Sequence, residues 1–233
     1  MKKNTRMPEN FSEVMRKLKF LANPEALEGM ERFGININKC YGISVPDIRS
    51  MARQIGKNHS LAQKLWQSGI HDARLLASMV DNPKIVSENQ MERWVKDFDS
   101  WDICDQCCMN IFDKTPFAWS KAAEWTRRNE EFVKRAGFAL MACLAVHDKE
   151  AADSDFKQFF PIIKRESTDG RNYVKKAVNW ALRQIGKRNK NLHKEAIVVA
   201  KEISEIDSPS ARWIAGDALR ELQKPEIRKR LKH

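Results

Sequence analysis

The sequence predicts an all-α chain. Apolar residues recur at spacings of three and four, and no stretch sustains the period-2 alternation of a half-buried strand. Residues that break helices or favour strands are sparse, with nine Gly, eight Pro and two Tyr in 233 positions. At that length, with 42% hydrophobic residues, the chain can bury a real core. No linker stands out, so a single domain over 1–233 is expected, with about 1–10 and 225–233 loose or lightly docked.

The elements follow in order. FSEVMRKLKFL, from Phe11, reads as the first helix, with Asn10 as its N-cap. SVPDIRSMARQIG, from Ser44, opens with a Pro suited to a first helical turn and closes at Gly56, which suits a C-terminal cap. SLAQKLWQSG ends the same way at Gly69. Helices separated by short polar turns then run to the C-terminus. Four of them share a pattern: DARLLASMV from Asp72, VKRAGFALMACL from Val133, VKKAVNWALRQIG from Val174 and SARWIAGDALREL from Ser210. Each sets a basic residue (Arg74, Arg135, Lys176, Arg212) ahead of small and apolar ones, at intervals of 61, 41 and 36 residues. The first interval is irregular because it contains an extra helix, WDICDQCCMNIF from Trp101. A period of about 40 with two helices per unit marks HEAT-like repeats. Such units bury their apolar faces only by stacking, which predicts a curved solenoid with a concave surface. One basic residue per unit would line that surface and form a groove for a phosphate backbone.

The charge supports this reading. The net charge of +11 is uneven: from Phe117 onward there are 25 Lys/Arg against 16 Asp/Glu, and before it 17 against 15. Lys164–Lys190 alone holds nine basic and two acidic residues. A concentrated excess of this kind points to a polyanionic partner, against the simpler reading of a soluble basic surface. Five Cys, an odd number, with no secretory signal at the N-terminus, suggest reduced thiols and a cytoplasmic protein. CDQCC (Cys104, Cys107, Cys108) has no second Cys/His pair at metal-ligand spacing, so buried thiols, and no metal or cofactor, are expected. The longest apolar run, Ala136–Val146, is too short to span a bilayer, which argues against a membrane role.

YGISVPDIR, SWDICD, FVKRAGFAL and YVKKAVNWALRQIGKRN, in that order from about Phe33 to Leu222, resemble the AlkD-like DNA alkylation-repair family. The resemblance implies a HEAT-like-repeat DNA glycosylase that hydrolyses the glycosidic bond of cationic N3- and N7-alkylated purines. Its Trp-x-x-x-Asp motif falls on Trp101 and Asp105, its second cleft Trp on Trp180 and its cleft Arg on Arg135. Arg183, Lys187 and Arg188 match positions that hold the DNA backbone, joined by the repeat positions Lys176 and Arg212. The implied partner is double-stranded DNA containing alkylated bases, bound by a monomer that associates with the nucleoid. The chain departs from relatives at Ser44, where an amide can reach DNA, and at Ser100, where a second aromatic can stand.

Chemistry gives these residues separate roles. Trp101 and Asp105, at i and i+4, share one helix face. An alkylated purine is a cationic leaving group, and loss of it leaves an electron-poor C1′. A carboxylate there stabilises the developing charge and orients water. Indole faces cup a cation, and an Arg holds a phosphate. Asp105 is thus expected in catalysis, Trp101 and Trp180 in positioning and Arg135 on the backbone. Without that register, Asp105 would read as a solvated helix carboxylate. Asp102, about 100° round the helix, is expected to face away. Asp99 reads as a cap or surface charge, and Trp66, Trp94, Trp119, Trp125 and Trp213 as packing residues. Two other functions fit a solenoid: a non-catalytic protein that binds distorted or branched DNA, and a protein-binding scaffold.

Overall fold

A computed structural model describes residues 10–231, and among these every regular element is a helix. The expectation for residues 1–9 and 232–233 lies outside the described residues. The chain gathers into two compact units, Met1–Thr115 and Pro116–His233.

The first unit contains α1 (Phe11–Phe20), α2 (Glu25–Arg32), α3 (Val45–Ile55), α4 (His59–Gln67), α5 (His71–Val80), α6 (Glu88–Lys96) and α7 (Trp101–Asn110). Polar side chains start these helices by accepting backbone N–H groups that have no partner within the helix. Asn10 accepts from Ser12 (2.9 Å), Asn58 from Leu61 (3.0 Å) and Ser87 from Gln90 (3.2 Å). Pro46 lies in the first turn of α3, and Gly56 ends that helix with φ of 75°. The unit is built round α5, which packs against α3, α4 and α7. Beside it Trp66 and Trp94 stack with centroids 4.0 Å apart, and Phe98 and Phe112 extend the aromatic cluster.

The second unit contains α8 (Ala118–Glu124), α9 (Glu131–His147), α10 (Asp153–Lys157), α11 (Phe159–Glu166), α12 (Asn172–Gly186), α13 (Lys190–Ser204), α14 (Pro209–Leu222) and α15 (Pro225–Arg230). The apolar run of α9 is buried almost throughout because α8 covers one side and α12 another. Gly137 permits the α8 contact: a Cβ there would lie 3.0 Å from the Ala122 carbonyl oxygen and 2.9 Å from the backbone nitrogen of Thr126, in the turn that follows α8. α15 buries no residue and rests lightly on α14. No helix among the described residues is long and apolar enough to cross a membrane.

The repeats show directly in the side-chain bonds. In the first unit, partners stand 31 residues apart: Tyr41 with Asp72, Trp66 with Asp97, and His71 with Asp102. In the second they stand 38 apart: Arg135 with Tyr173, Lys164 with Glu202, and Asn179 with Asp217. The irregular interval of 61 residues between Arg74 and Arg135 is therefore two short steps. One step of 31 from Arg74 reaches Asp105, and 30 more reach Arg135. The helix that breaks the basic register is itself a repeat helix, and an acid occupies its marker position.

Candidate functional site

α7 begins at Trp101, so Trp101 and Asp105 are one turn apart on the same face, both half-buried. The loop after α2 fixes the indole, whose Nε1–H donates to the Phe33 carbonyl at 2.9 Å. Ser100 is the N-cap residue and is buried, a place that suits a small side chain. Asp99 is exposed and accepts from Asn36 Nδ2 at 2.9 Å, so it is a surface charge.

Asp102 turns away from the Trp101–Asp105 face, as its position round the helix predicts. It enters a buried network that the sequence alone does not reveal. Its Oδ1 accepts from the Ser100 hydroxyl (2.7 Å) and the Ile103 N–H (2.9 Å), and its Oδ2 lies 2.7 Å from His71 Nε2. Burial opposes ionisation of Asp102, but the His71 hydrogen bond and charge outweigh it, and the carboxyl stays below its usual range. Burial likewise opposes charge on His71, yet the bonds to Asp102 and Cys40 hold its pKa up at about 10.

This has a consequence for stability. The His71 contribution is complete below an unfolded-state pKa of about 6.5 and is lost as pH rises through about 10. In that window the folded chain binds the proton and the unfolded chain does not, so stability should fall by about 1 kcal/mol per pH unit. The Asp102 contribution has the opposite sense: it is present above about pH 4 and lost in stronger acid. Denaturant titrations across alkaline pH should show the fall in the wild type. A slope equally steep in Asp102→Asn would assign it to other groups.

Asp72, one residue after His71, is fully buried and accepts from the N–H groups of Tyr41 (2.6 Å) and Ile43 (2.9 Å). The intervening Gly42 has φ of 74°, and a Cβ there would lie 2.3 Å from the Asn23 carbonyl oxygen. Asp72 thus anchors the same loop whose Phe33 carbonyl fixes Trp101.

In the second unit, α12 presents Lys176, Trp180, Arg183 and Lys187 at i, i+4, i+7 and i+11, one stripe along the helix. Lys176 is exposed, and the other three are half-buried. α14 answers the stripe with acids. Glu221 pairs with Arg183 and, at 2.6 Å, with Lys187, while Asp217 lies 3.8 Å from Arg183. Burial opposes the charge of Glu221, but its two cationic partners hold the carboxyl below its usual range.

The remaining predicted basic residues occupy different settings. Arg135 is buried and donates to the Tyr173 carbonyl at 2.6 Å, joining α9 to the first turn of α12. Arg188 donates to the carbonyls of Ala145 (3.2 Å) and Ala151 (2.9 Å) and lies over the Phe156 ring, so it fastens the end of α9. Arg212 is exposed and pairs with Asp207 at 2.9 Å. It lies about 140° round α14 from Asp217, away from the carboxylates that answer the α12 stripe. Trp66, Trp94, Trp119 and Trp125 pack as expected. Trp213 does not: it is 40% exposed, with Lys175 Nζ 4.9 Å above its ring.

Sequence reasoning also missed a basic pocket in the first unit, lined by Arg49, Arg53, Lys57 and Lys114 beside Met79 and Asn110. Its near-balanced charge count conceals this local cluster. Lys57 and Lys114 also donate to carbonyls near the ends of α5 and α7, at 2.7 Å to Asp81 and 2.5 Å to Met109.

Three comparisons bear on these features. A family model described as "DNA alkylation repair enzyme" matches residues 14–222. Two bacterial proteins, the uncharacterized Lin0241 of Listeria innocua and Lmo0209 of Listeria monocytogenes, are 23% and 22% identical over 200 residues. Each match covers 84% of this chain and 87% of the relative. A solved structure has a TM-score of 0.77 and 20% identity, over 96% of this chain and 97% of the other. It is described as "a new family of proteins related to the HEAT-like repeat DNA glycosylases with affinity for branched DNA structures". The fold is thus an all-α HEAT-like repeat.

Proposed function

Because the chain belongs to the family of DNA alkylation repair enzymes, we propose that it is a DNA glycosylase excising cationic N3- and N7-alkylated purines from duplex DNA. The observation that carries this reading is Asp105: a half-buried carboxylate one turn from an anchored indole, where the neighbouring repeat has Arg74. An acid on a surface that binds DNA weakens affinity for phosphate, so its value lies in stabilising a positive charge. The electron-poor C1′ of a departing alkylpurine supplies that charge. Trp101, one turn from Asp105, offers an indole face to the cationic sugar or base, and Trp180 stands within the basic stripe of α12. Lys176, Arg183 and Lys187 hold phosphates, and the latter two exchange Glu221 for DNA as they bind. The protein acts as a monomer on the nucleoid and needs no cofactor.

Incubation with duplexes bearing one lesion each tests the reading. N7-methylguanine and N3-methyladenine should be released as free bases. Hypoxanthine and 1,N6-ethenoadenine should not, because neither brings a positive charge and Asp105 alone cannot also protonate a neutral leaving base. Efficient release of hypoxanthine would refute the charge-reading mechanism. The branched-DNA affinity in the description of the structural relative supports a second reading, a non-catalytic binder. Tight binding to four-way junctions with no release of any cationic base would favour it.

A further inference from the structure

The basic pocket of the first unit takes no part in the excision chemistry. It is a cavity of about 470 Å³ lined from the ends of α3, α5 and α7. Arg49 and Arg53 stand one turn apart on α3, and the small residues Ala52 and Gly56 share their face. Two long guanidinium side chains therefore flank an open floor: a Cβ at Gly56 would meet no atom within 4 Å. Met79 adds an apolar wall.

The two lysines of the pocket are held in place by the backbone. Lys57 Nζ donates to the Met79 and Asp81 carbonyls at 3.0 and 2.7 Å. Lys114 Nζ donates to the Met109 carbonyl at 2.5 Å and to Asp113 Oδ1 at 3.0 Å. The carbonyls carry the partial negative charge of the helix ends, so the lysines cancel it, and each ammonium keeps one N–H for a ligand. Among the described residues, Asp113 is the one carboxylate that pairs with any of the four cations. Arg49 reaches only the Gln106 amide oxygen, at 3.5 Å. Burial and the Lys114 charge push the Lys57 pKa down against the smaller pull of Asp81, the mark of positive charge left uncompensated.

We propose that this pocket binds a terminal nucleotide phosphate, the phosphomonoester of a strand end or of a free mononucleotide. Charge and shape favour that group over a phosphate within a strand. An internal phosphodiester brings one negative charge, whereas a terminal phosphate brings nearly two and has three oxygens free to accept. Two guanidinium forks and two single N–H donors match three oxygens that each accept more than once. The cavity is larger than a phosphate alone, so the sugar of the terminal nucleotide has room against Ala52 and Met79. No lesion and no bond cleavage is involved, so the site stands whether or not Asp105 excises bases.

Isothermal titration of the full chain with short undamaged oligonucleotides tests this. A trithymidylate with a phosphate at its 5′ or its 3′ end and an unphosphorylated pentathymidylate carry nearly equal charge, so non-specific attraction treats them alike. One of the phosphorylated trimers should bind about tenfold tighter than the pentamer. Arg49→Gln and Arg53→Gln, both at exposed positions, should each remove most of that preference. Lys176→Gln, in the second unit, should leave the ratio unchanged. Thymidine monophosphate binding as tightly as the preferred trimer would assign the site to free nucleotides, and binding of the trimer alone would assign it to strand ends. Equal affinity of the trimers and the pentamer would overturn the proposal. So would a preference that survives both arginine substitutions combined.

Discussion

Asp105→Asn is expected to slow release of N7-methylguanine by about 10²–10³ in single-turnover assays while leaving duplex affinity within a few-fold of the wild type. The substitution preserves shape and removes the charge one turn below the anchored Trp101 ring. An electrostatic contribution of this kind is worth about 3 kcal/mol in the transition state. The substrate is already labile, so the lower end of the range is the sharper expectation. Duplex binding should strengthen slightly, since the substitution removes a negative charge that repels phosphate. Wild-type excision in this variant would remove Asp105 from catalysis.

The largest expected loss of stability is at Asp72. Asp72→Ala leaves the Tyr41 and Ile43 N–H groups without their acceptor. Each orphaned buried donor costs about 1–3 kcal/mol, so the first unit should lose about 3 kcal/mol. Hydrogen exchange of the backbone amides of α3, α4 and α5, followed peptide by peptide, reads that unit directly. A loss below about 1 kcal/mol would mean that water reaches both donors in the variant and that the loop is not held as described.

The legible part of this protein is what local chemistry writes along the chain. The Asn10 cap, the Pro46 first turn and the Gly56 stop are each decided by a few neighbouring residues, and each appears where expected. The resemblance and the repeat pattern name Lys176, Trp180, Arg183 and Lys187, and the helical period then sets them in one stripe of α12. What escaped was contact across repeats. Nothing near Arg183 announces Glu221, 38 residues on, and nothing near Cys40 announces His71, 31 residues on. The Arg188 guanidinium looked like part of a basic run, but its ties to Ala145 and Ala151 lie in another helix pair. α7 reads as an insertion in a pattern marked by basic residues, because its marker position holds Asp105.

The bonds that span 38 residues also bear on how the second unit is made. Arg135 finds Tyr173, Asn179 finds Asp217 and Lys164 finds Glu202, each in the stretch that leaves the ribosome next. None of these partners requires the chain to close back on a distant segment, so the entropy of long loop closure is avoided. α9 can be covered on its second side as soon as α12 emerges, without waiting for α14. The exposed apolar flank at any moment during synthesis is then about one helix wide, which limits the surface open to aggregation before the C-terminus is released.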